Sequence, residues 1–93
     1  MIERERSSGN LFEDMGVPGA ENMKVRAELI VEIRRLMEEM GWNQTEAAEQ
    51  LGISRTRLND ILRGRLEKVT IDRLVTMLAA AGRHVRVTVD HAA

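Results

Sequence analysis

Apolar residues recur at three- and four-residue steps along most of the chain, which predicts helices rather than strands. The longest such stretch runs from about residue 21 to residue 40 and closes at Gly41. Its apolar positions are Val25, Leu29, Ile30, Ile33, Leu36, Met37 and Met40. Charged residues fill the other positions, so we expect one long amphipathic helix with its apolar side on the core.

Three shorter helices are predicted downstream, because each has a capping residue in front and a glycine behind. The capping residues are Asn43, Ser54 and Thr70. The helices that they start cover about residues 44–51, 55–63 and 71–81. Glu46 stands three residues after Asn43, the spacing of a capping box.

The pattern changes period near the C-terminus, where Val85, Val87 and Val89 alternate with polar residues. An alternation of period two predicts a β-strand over residues 84–89 with one apolar face. No second strand is predicted in the chain, and unpaired strand edges favour pairing with another chain. We therefore expect a two-fold dimer in which this strand pairs antiparallel with its symmetry mate. The alternative is a strand that folds back on its own helices.

The first twenty residues lack periodicity, and we expect a flexible N-terminal segment over residues 1–20. Its apolar residues are Leu11, Phe12, Met15 and Val17. A polar, acidic segment with a few apolar anchors is typical of chains that fold on binding a partner. The alternative is that Phe12 and Val17 cover the first helix of the same chain. Residues 21–93 then form one domain.

Two short helices joined around a glycine form a helix-turn-helix. Here Gly52 makes the turn and Ala48 lets the two helices cross closely. Arg55, Thr56 and Arg57 occupy the first turn of the second helix, the part that contacts base edges in the major groove. Net charge is −1, yet residues 53–66 carry four arginines against one aspartate. A local basic patch suits phosphate binding, although a merely solvated face is the alternative.

Residues 43–64, NQTEAAEQLGISRTRLNDILRG, resemble the Xre/Cro-type helix-turn-helix of phage repressors. The matching positions are Gln44, Ala48, Gly52, Leu58, Ile61 and the closing Arg63–Gly64. The resemblance implies that Gln44 binds phosphate, and that the recognition helix faces the groove with Ser54, Arg55, Thr56, Arg57 and Asp60. We expect base contacts from Arg55 and Arg57, phosphate contacts from Arg63 and Arg65, and a DNA contact from Asn43.

Asp60 departs from the family pattern, which often has glutamine there. Its carboxylate could accept a hydrogen bond from cytosine N4. The alternative is an ion pair with Arg57 or Arg63.

The flanking sequence extends the resemblance to HigA-like antitoxins and related single-domain Xre regulators. Phe12, Asp14 and Gly16 match their F-x-D-x-G segment, and the C-terminal strand is also shared. The resemblance implies an all-α, lambda-repressor-like helix-turn-helix bundle of four to five helices with one C-terminal β-strand. It also implies a dimeric repressor of its own operon, paired with a RelE/HigB-like ribonuclease toxin.

Catalytic and membrane functions find little support. Cysteine is absent, and His84 and His91 would lie on opposite faces of a strand, so we expect no enzyme activity, metal or cofactor. The longest apolar run, residues 77–81, is too short for a membrane span, and residues 1–10 lack the apolar core of a secretory signal. We expect a cytoplasmic protein that binds double-stranded DNA. The alternatives are an Xre-type regulator without a toxin, and a protein-binding adaptor that uses the helix-turn-helix as a scaffold.

Overall fold

The computed structural model describes residues 19–91, and this part of the chain is helical. Its elements are α1 (Ala20–Met40), α2 (Gln44–Leu51), α3 (Arg55–Leu62), a short 3-10 turn (Leu66–Lys68) and α4 (Ile71–Ala80). The four predicted helices are therefore confirmed, with boundaries within a residue or two of those expected. The predictions for Leu11, Phe12, Met15 and Val17 lie outside the described residues.

One hydrophobic core joins all four helices. Its most deeply buried side chains are Ile33 of α1, Leu51 of α2, Leu58 and Ile61 of α3, and Leu74 of α4. Helix α4 packs against both α1 and α2, and α2 packs against α3. Burying one such aliphatic side chain contributes about 1.5–3 kcal/mol. Leu58 and Ile61 are the two fully buried side chains of α3, so they supply most of the stabilisation that holds this helix on the core.

The predicted caps are present at the start of each short helix. Asn43 Oδ1 accepts from the Glu46 N–H at 2.8 Å, and Glu46 Oε1 accepts from the Asn43 N–H at 2.9 Å. Ser54 Oγ accepts from the Arg57 N–H at 3.0 Å, and Thr70 Oγ1 accepts from the Arg73 N–H at 3.2 Å. These bonds satisfy backbone donors that have no partner inside the helix, which fixes where each helix begins.

The two ends of α1 are more exposed than the periodicity predicts. Val25 is 36% exposed and Met40 is 54% exposed, so their predicted places in the core are wrong. Helix α1 has 21 residues and the others have eight to ten. At about 1.5 Å per residue, the short helices cover only part of its length, and burial is confined to Ile30, Ile33 and Leu36.

The predicted C-terminal strand is not seen, and the fold prediction is wrong on this point. Residues 83–91 contain no regular structure. The physical reason is that a strand needs a hydrogen-bonding neighbour, and no other strand occurs within residues 19–91 of this single chain. Val85 is half-buried and packs against the core, whereas Val87 and Val89 are 78% and 72% exposed. The alternative prediction, that this segment folds back on the helices of its own chain, therefore holds only for Val85.

No helix within residues 19–91 is both long enough and apolar enough to cross a membrane.

Candidate nucleic-acid interface

The turn between α2 and α3 is rigidly defined by backbone geometry. Gly52 has a φ of 74°, in the left-handed region that other residues disfavour. The Ile53 N–H then donates to the Ala48 carbonyl at 3.0 Å, which closes the end of α2. Ser54 caps α3 two residues after the glycine. The start of α3 is thus held at a fixed angle to α2.

Helix α3 has two opposite faces. Leu58 and Ile61 are fully buried. The opposite face carries four polar side chains at positions i, i+3, i+4 and i+7, namely Thr56, Asn59, Asp60 and Arg63. We call these four residues the outer face. Thr56 and Arg63 are exposed, and Asn59 and Asp60 are half-buried.

Asn59 was not singled out by the sequence reasoning. An asparagine amide can bond the N6 and N7 of adenine with two hydrogen bonds. Its helical spacing from Thr56 and Arg63 is the signal that would have identified it, because a helix presents i, i+3 and i+7 on one side.

Arg55 begins α3 and its side chain is exposed. Its guanidinium makes no hydrogen bond or ion pair with any residue in the range 19–91, and the same holds for the side chain of Arg63. Both arginines are therefore exposed and unpaired within this range, one at each end of α3.

Asp60 is paired with Arg65. Nη1 of Arg65 lies 2.9 Å from Oδ1 of Asp60, and the two side chains are 47% and 21% exposed. The ion pair proposed as an alternative from sequence therefore exists, but its partner is neither Arg57 nor Arg63. Arg65 follows Gly64, whose φ of 82° reverses the chain after α3 and directs the arginine back towards the aspartate.

Comparison with known protein families shows which family contains this arrangement of α2, Gly52 and α3. A family model described as a helix-turn-helix domain matches residues 11–90, most of the chain. The chain belongs to the helix-turn-helix domain family. This membership indicates a DNA-binding regulator. No match to a curated protein was found.

In this helix-turn-helix domain, Arg57 turns away from the outer face. Its Nη1 donates to the Lys68 carbonyl at 2.7 Å, across the connection between α3 and α4. Arg57, Lys68, Thr70 and Arg73 together line a shallow cavity of about 260 Å³. Three cations and the Glu67 carboxylate thus line a cavity beside the capped start of α4, so its lining is basic on balance. The base contact expected of Arg57 stays a prediction, and Lys68 and Arg73 join the candidates for phosphate contacts.

Sequence reasoning overlooked Lys68 and Arg73 for a simple reason. Both lie outside the motif, and only the 3-10 turn brings them beside Arg57. The spacing of Arg73 from the Thr70 cap was the available signal, because it puts the arginine in the first turn of α4.

The other predicted DNA contacts lie at the start of α2 and α3. Gln44 is the first residue of α2 and is half-buried. Asn43 and Ser54 use their side-chain oxygens as caps, as described above, so any contact they make with DNA would use the Asn43 amide NH₂ or the Ser54 hydroxyl proton. These roles stay predictions.

Proposed function

We propose that this protein is a sequence-specific transcriptional repressor of the Xre/Cro type, with binding rather than catalysis as its activity. The observation that carries the proposal is the outer face of α3, which is polar and opposite to the two residues that anchor the helix. A recognition helix needs this division, because its base-reading residues must be free of packing roles.

The proposed contacts follow from exposure and chemistry. Arg55 reads a guanine through O6 and N7, and Asn59 reads an adenine, while Thr56 lies against a neighbouring base. Phosphate contacts come from Gln44, Arg63, Lys68 and Arg73, which lie at helix ends or in the connection. Arg65 joins them when its pairing with Asp60 is broken.

The active species is proposed to be a homodimer. Val87 and Val89 leave two large apolar side chains exposed in a segment without regular structure, and in a strand these two positions would share one face. Pairing this segment with its symmetry mate would cover both valines and satisfy its free backbone groups. A two-fold dimer also supplies two recognition helices, whose half-sites would lie about 34 Å apart.

Selection from a random duplex library tests the repressor proposal directly. The protein should enrich a sequence with two-fold symmetry, and footprinting should show protection on one side of the duplex with a period of one helical turn. Enrichment of no sequence above the random pool would count against sequence-specific recognition. A reporter gene that carries the enriched duplex in its promoter should then lose expression when the protein is produced.

We further propose that the repressor is the antitoxin of a toxin–antitoxin pair. The support is the resemblance to HigA-like antitoxins and the charge of residues 1–23, which carry five acids and two bases. An acidic segment complements a basic ribonuclease of the RelE/HigB kind. Phe12 would be its main apolar anchor.

Coexpression tests the toxin proposal. A small basic ribonuclease-like reading frame beside the gene is the probe, and its product should copurify with the full chain but much less with the Phe12→Ala variant. Amide hydrogen exchange over residues 8–20 should slow only in the complex. Slow exchange in the free protein would place Phe12 in the core of the same chain and remove the physical basis for a toxin contact.

A further inference from the structure

The connection between α3 and α4, residues 63–70, is held by arginine side chains that donate to its backbone carbonyls. Arg26 of α1 reaches two of them, with its Nη1 at 2.5 Å from the Leu66 oxygen and 3.2 Å from the Val69 oxygen. Arg34 of α1 donates to the carbonyl of Leu62, the last residue of α3. Arg57 donates to Lys68, as described above. Arginines of α1 and α3 therefore bind four backbone carbonyls in and next to the connection, namely those of Leu62, Leu66, Lys68 and Val69.

Arg26 is the most constrained of these arginines. It is half-buried, and its Nε is fully buried with no hydrogen-bond acceptor among residues 19–91. Burying a guanidinium nitrogen without an acceptor is unfavourable, which offsets part of the stabilisation from the two hydrogen bonds of Nη1. We therefore expect Arg26 to matter more for fixing the position of the 3-10 turn than for the stability of the fold.

The constraint acts on a segment rich in cations. Arg63, Arg65 and Lys68 lie in the connection, and the Lys68 carbonyl also orients Arg57. The two carbonyls that Arg26 bridges belong to residues at the first position of the 3-10 turn and just beyond its last. One nitrogen, Nη1 of Arg26, binds both oxygens, so a single side chain of α1 fixes the two ends of this turn relative to each other.

We propose that Arg26 is a positioning residue for DNA binding. It holds the 3-10 turn in the one shape that presents Lys68 to the phosphate backbone, although Arg26 itself does not contact DNA. This inference rests on the proposed DNA-binding surface. Its physical basis is pre-organisation, because a connection already in the bound shape loses less conformational freedom on binding.

The test measures affinity for the selected duplex and for a random-sequence duplex as a function of salt, for four variants of the full chain. Arg26→Met keeps the length and apolar stem of the side chain and removes its donors. Arg26→Lys keeps the charge on a shorter side chain without the guanidinium, which we expect to hold the turn less well. Arg35→Met is the matched control, since it removes one exposed cation from the same helix, and among residues 19–91 Arg35 pairs only with Glu32. Arg55→Ala reports on the proposed surface itself.

We expect Arg26→Met to weaken binding about tenfold and to lower the slope of log Kd against log salt by about one unit, equivalent to one lost phosphate contact. Arg26→Lys should recover part of both losses, and Arg35→Met should match the parent in slope. Urea unfolding of each variant shows whether it is folded under the assay conditions. A merely structural role would lower the unfolding midpoint and leave the salt slope of the folded protein unchanged.

The outcomes distinguish a failure of the positioning role of Arg26 from a failure of the proposed DNA-binding surface. If Arg26→Met binds like Arg35→Met while Arg55→Ala is impaired, the positioning role is overturned and the DNA-binding surface stands. If Arg55→Ala, Arg26→Met and the parent all bind selected and random duplexes alike, the proposed surface itself is wrong. If Arg26→Met does not fold, Arg26→Lys decides, and parental affinity and slope in that variant overturn the inference.

Discussion

Arg65 and Asp60 form an ion pair in which Nη1 and Oδ1 are 2.9 Å apart, at the junction of the recognition helix and the connection that follows it. The pair joins a cation suited to a phosphate with an anion on the outer face of α3. An ion pair this exposed contributes only about 0–1 kcal/mol to stability. Because this contribution is small, we expect the pair to matter mainly for DNA binding, where Asp60 would restrain Arg65 and repel phosphates.

Replacing Asp60 by asparagine should consequently strengthen non-specific DNA binding. Asp60→Asn removes the negative charge and releases Arg65, so the slope of log Kd against log salt should steepen by about one unit on a random-sequence duplex. Fluorescence anisotropy over a salt series measures both quantities. Glu38→Gln, an exposed acid of α1, is the control for a change of net charge alone.

A different result would assign Asp60 to base reading. If Asp60→Asn weakens binding to a selected duplex and leaves the random duplex unaffected, the carboxylate accepts a hydrogen bond from a cytosine N4 instead of restraining Arg65.

Loss of Arg55 should reduce discrimination between sequences. Its guanidinium is exposed at the start of α3, so Arg55→Ala should cost about 1–3 kcal/mol on the selected duplex and relax the preference at one base pair. Binding to every single-base-pair variant of that duplex measures the effect. Arg35→Ala on α1 should leave the preference intact. Equal loss on all duplexes would instead assign Arg55 to the phosphate backbone.

Gly52→Ala measures how much the left-handed backbone conformation at this position contributes to the free energy of unfolding. A Cβ at this position would have no atom within 4 Å, so the change adds no steric clash with neighbouring residues. The positive φ alone should lower the free energy of unfolding by about 1–2 kcal/mol. Urea denaturation measures it, and Gly52→Asn should lose less because asparagine tolerates this conformation better. Equal losses for both variants would show that the turn has relaxed to another conformation.

The exposed valines should control dimerisation without affecting the fold. Val87→Asp and Val89→Asp each put a charge on the apolar face proposed to pair, so the double variant should be monomeric by light scattering. Val85 is avoided because it packs against the core. Thr88→Asp introduces the same charge on the opposite face of an extended segment and should leave the dimer intact. A double variant that remains dimeric would rule out this segment as the interface.

Local signals in the sequence predicted the helices and their ends correctly. Asn43, Ser54 and Thr70 each cap the helix that follows, because capping depends on residues only two or three positions away. The buried positions in the middle of α1 were also correct. Periodicity could not show that Met40 lies beyond the end of the neighbouring helices, since coverage depends on the lengths of other elements.

Interactions between distant residues were not accessible from the sequence. Arg26 lies 40 positions from Leu66, and nothing in its local pattern indicates that it binds a backbone carbonyl there. The partner of Asp60 depends on the reversal at Gly64, and the direction of Arg57 depends on the 3-10 turn. The strand was mispredicted because alternation describes which residues could pair and contains no information on whether a partner is present.

The division of α3 into two faces has an evolutionary consequence. Leu58 and Ile61 belong to the hydrophobic core, whereas the four outer-face residues are polar and lie outside it, so mutations at the two sets are subject to different selection. If the outer face reads DNA as proposed, changes there alter which operator is bound, and at the exposed Thr56 and Arg63 they do so at little cost in folding. Duplicated copies of this gene could therefore acquire separate regulatory targets through a few substitutions within eight consecutive positions, from residue 56 to residue 63.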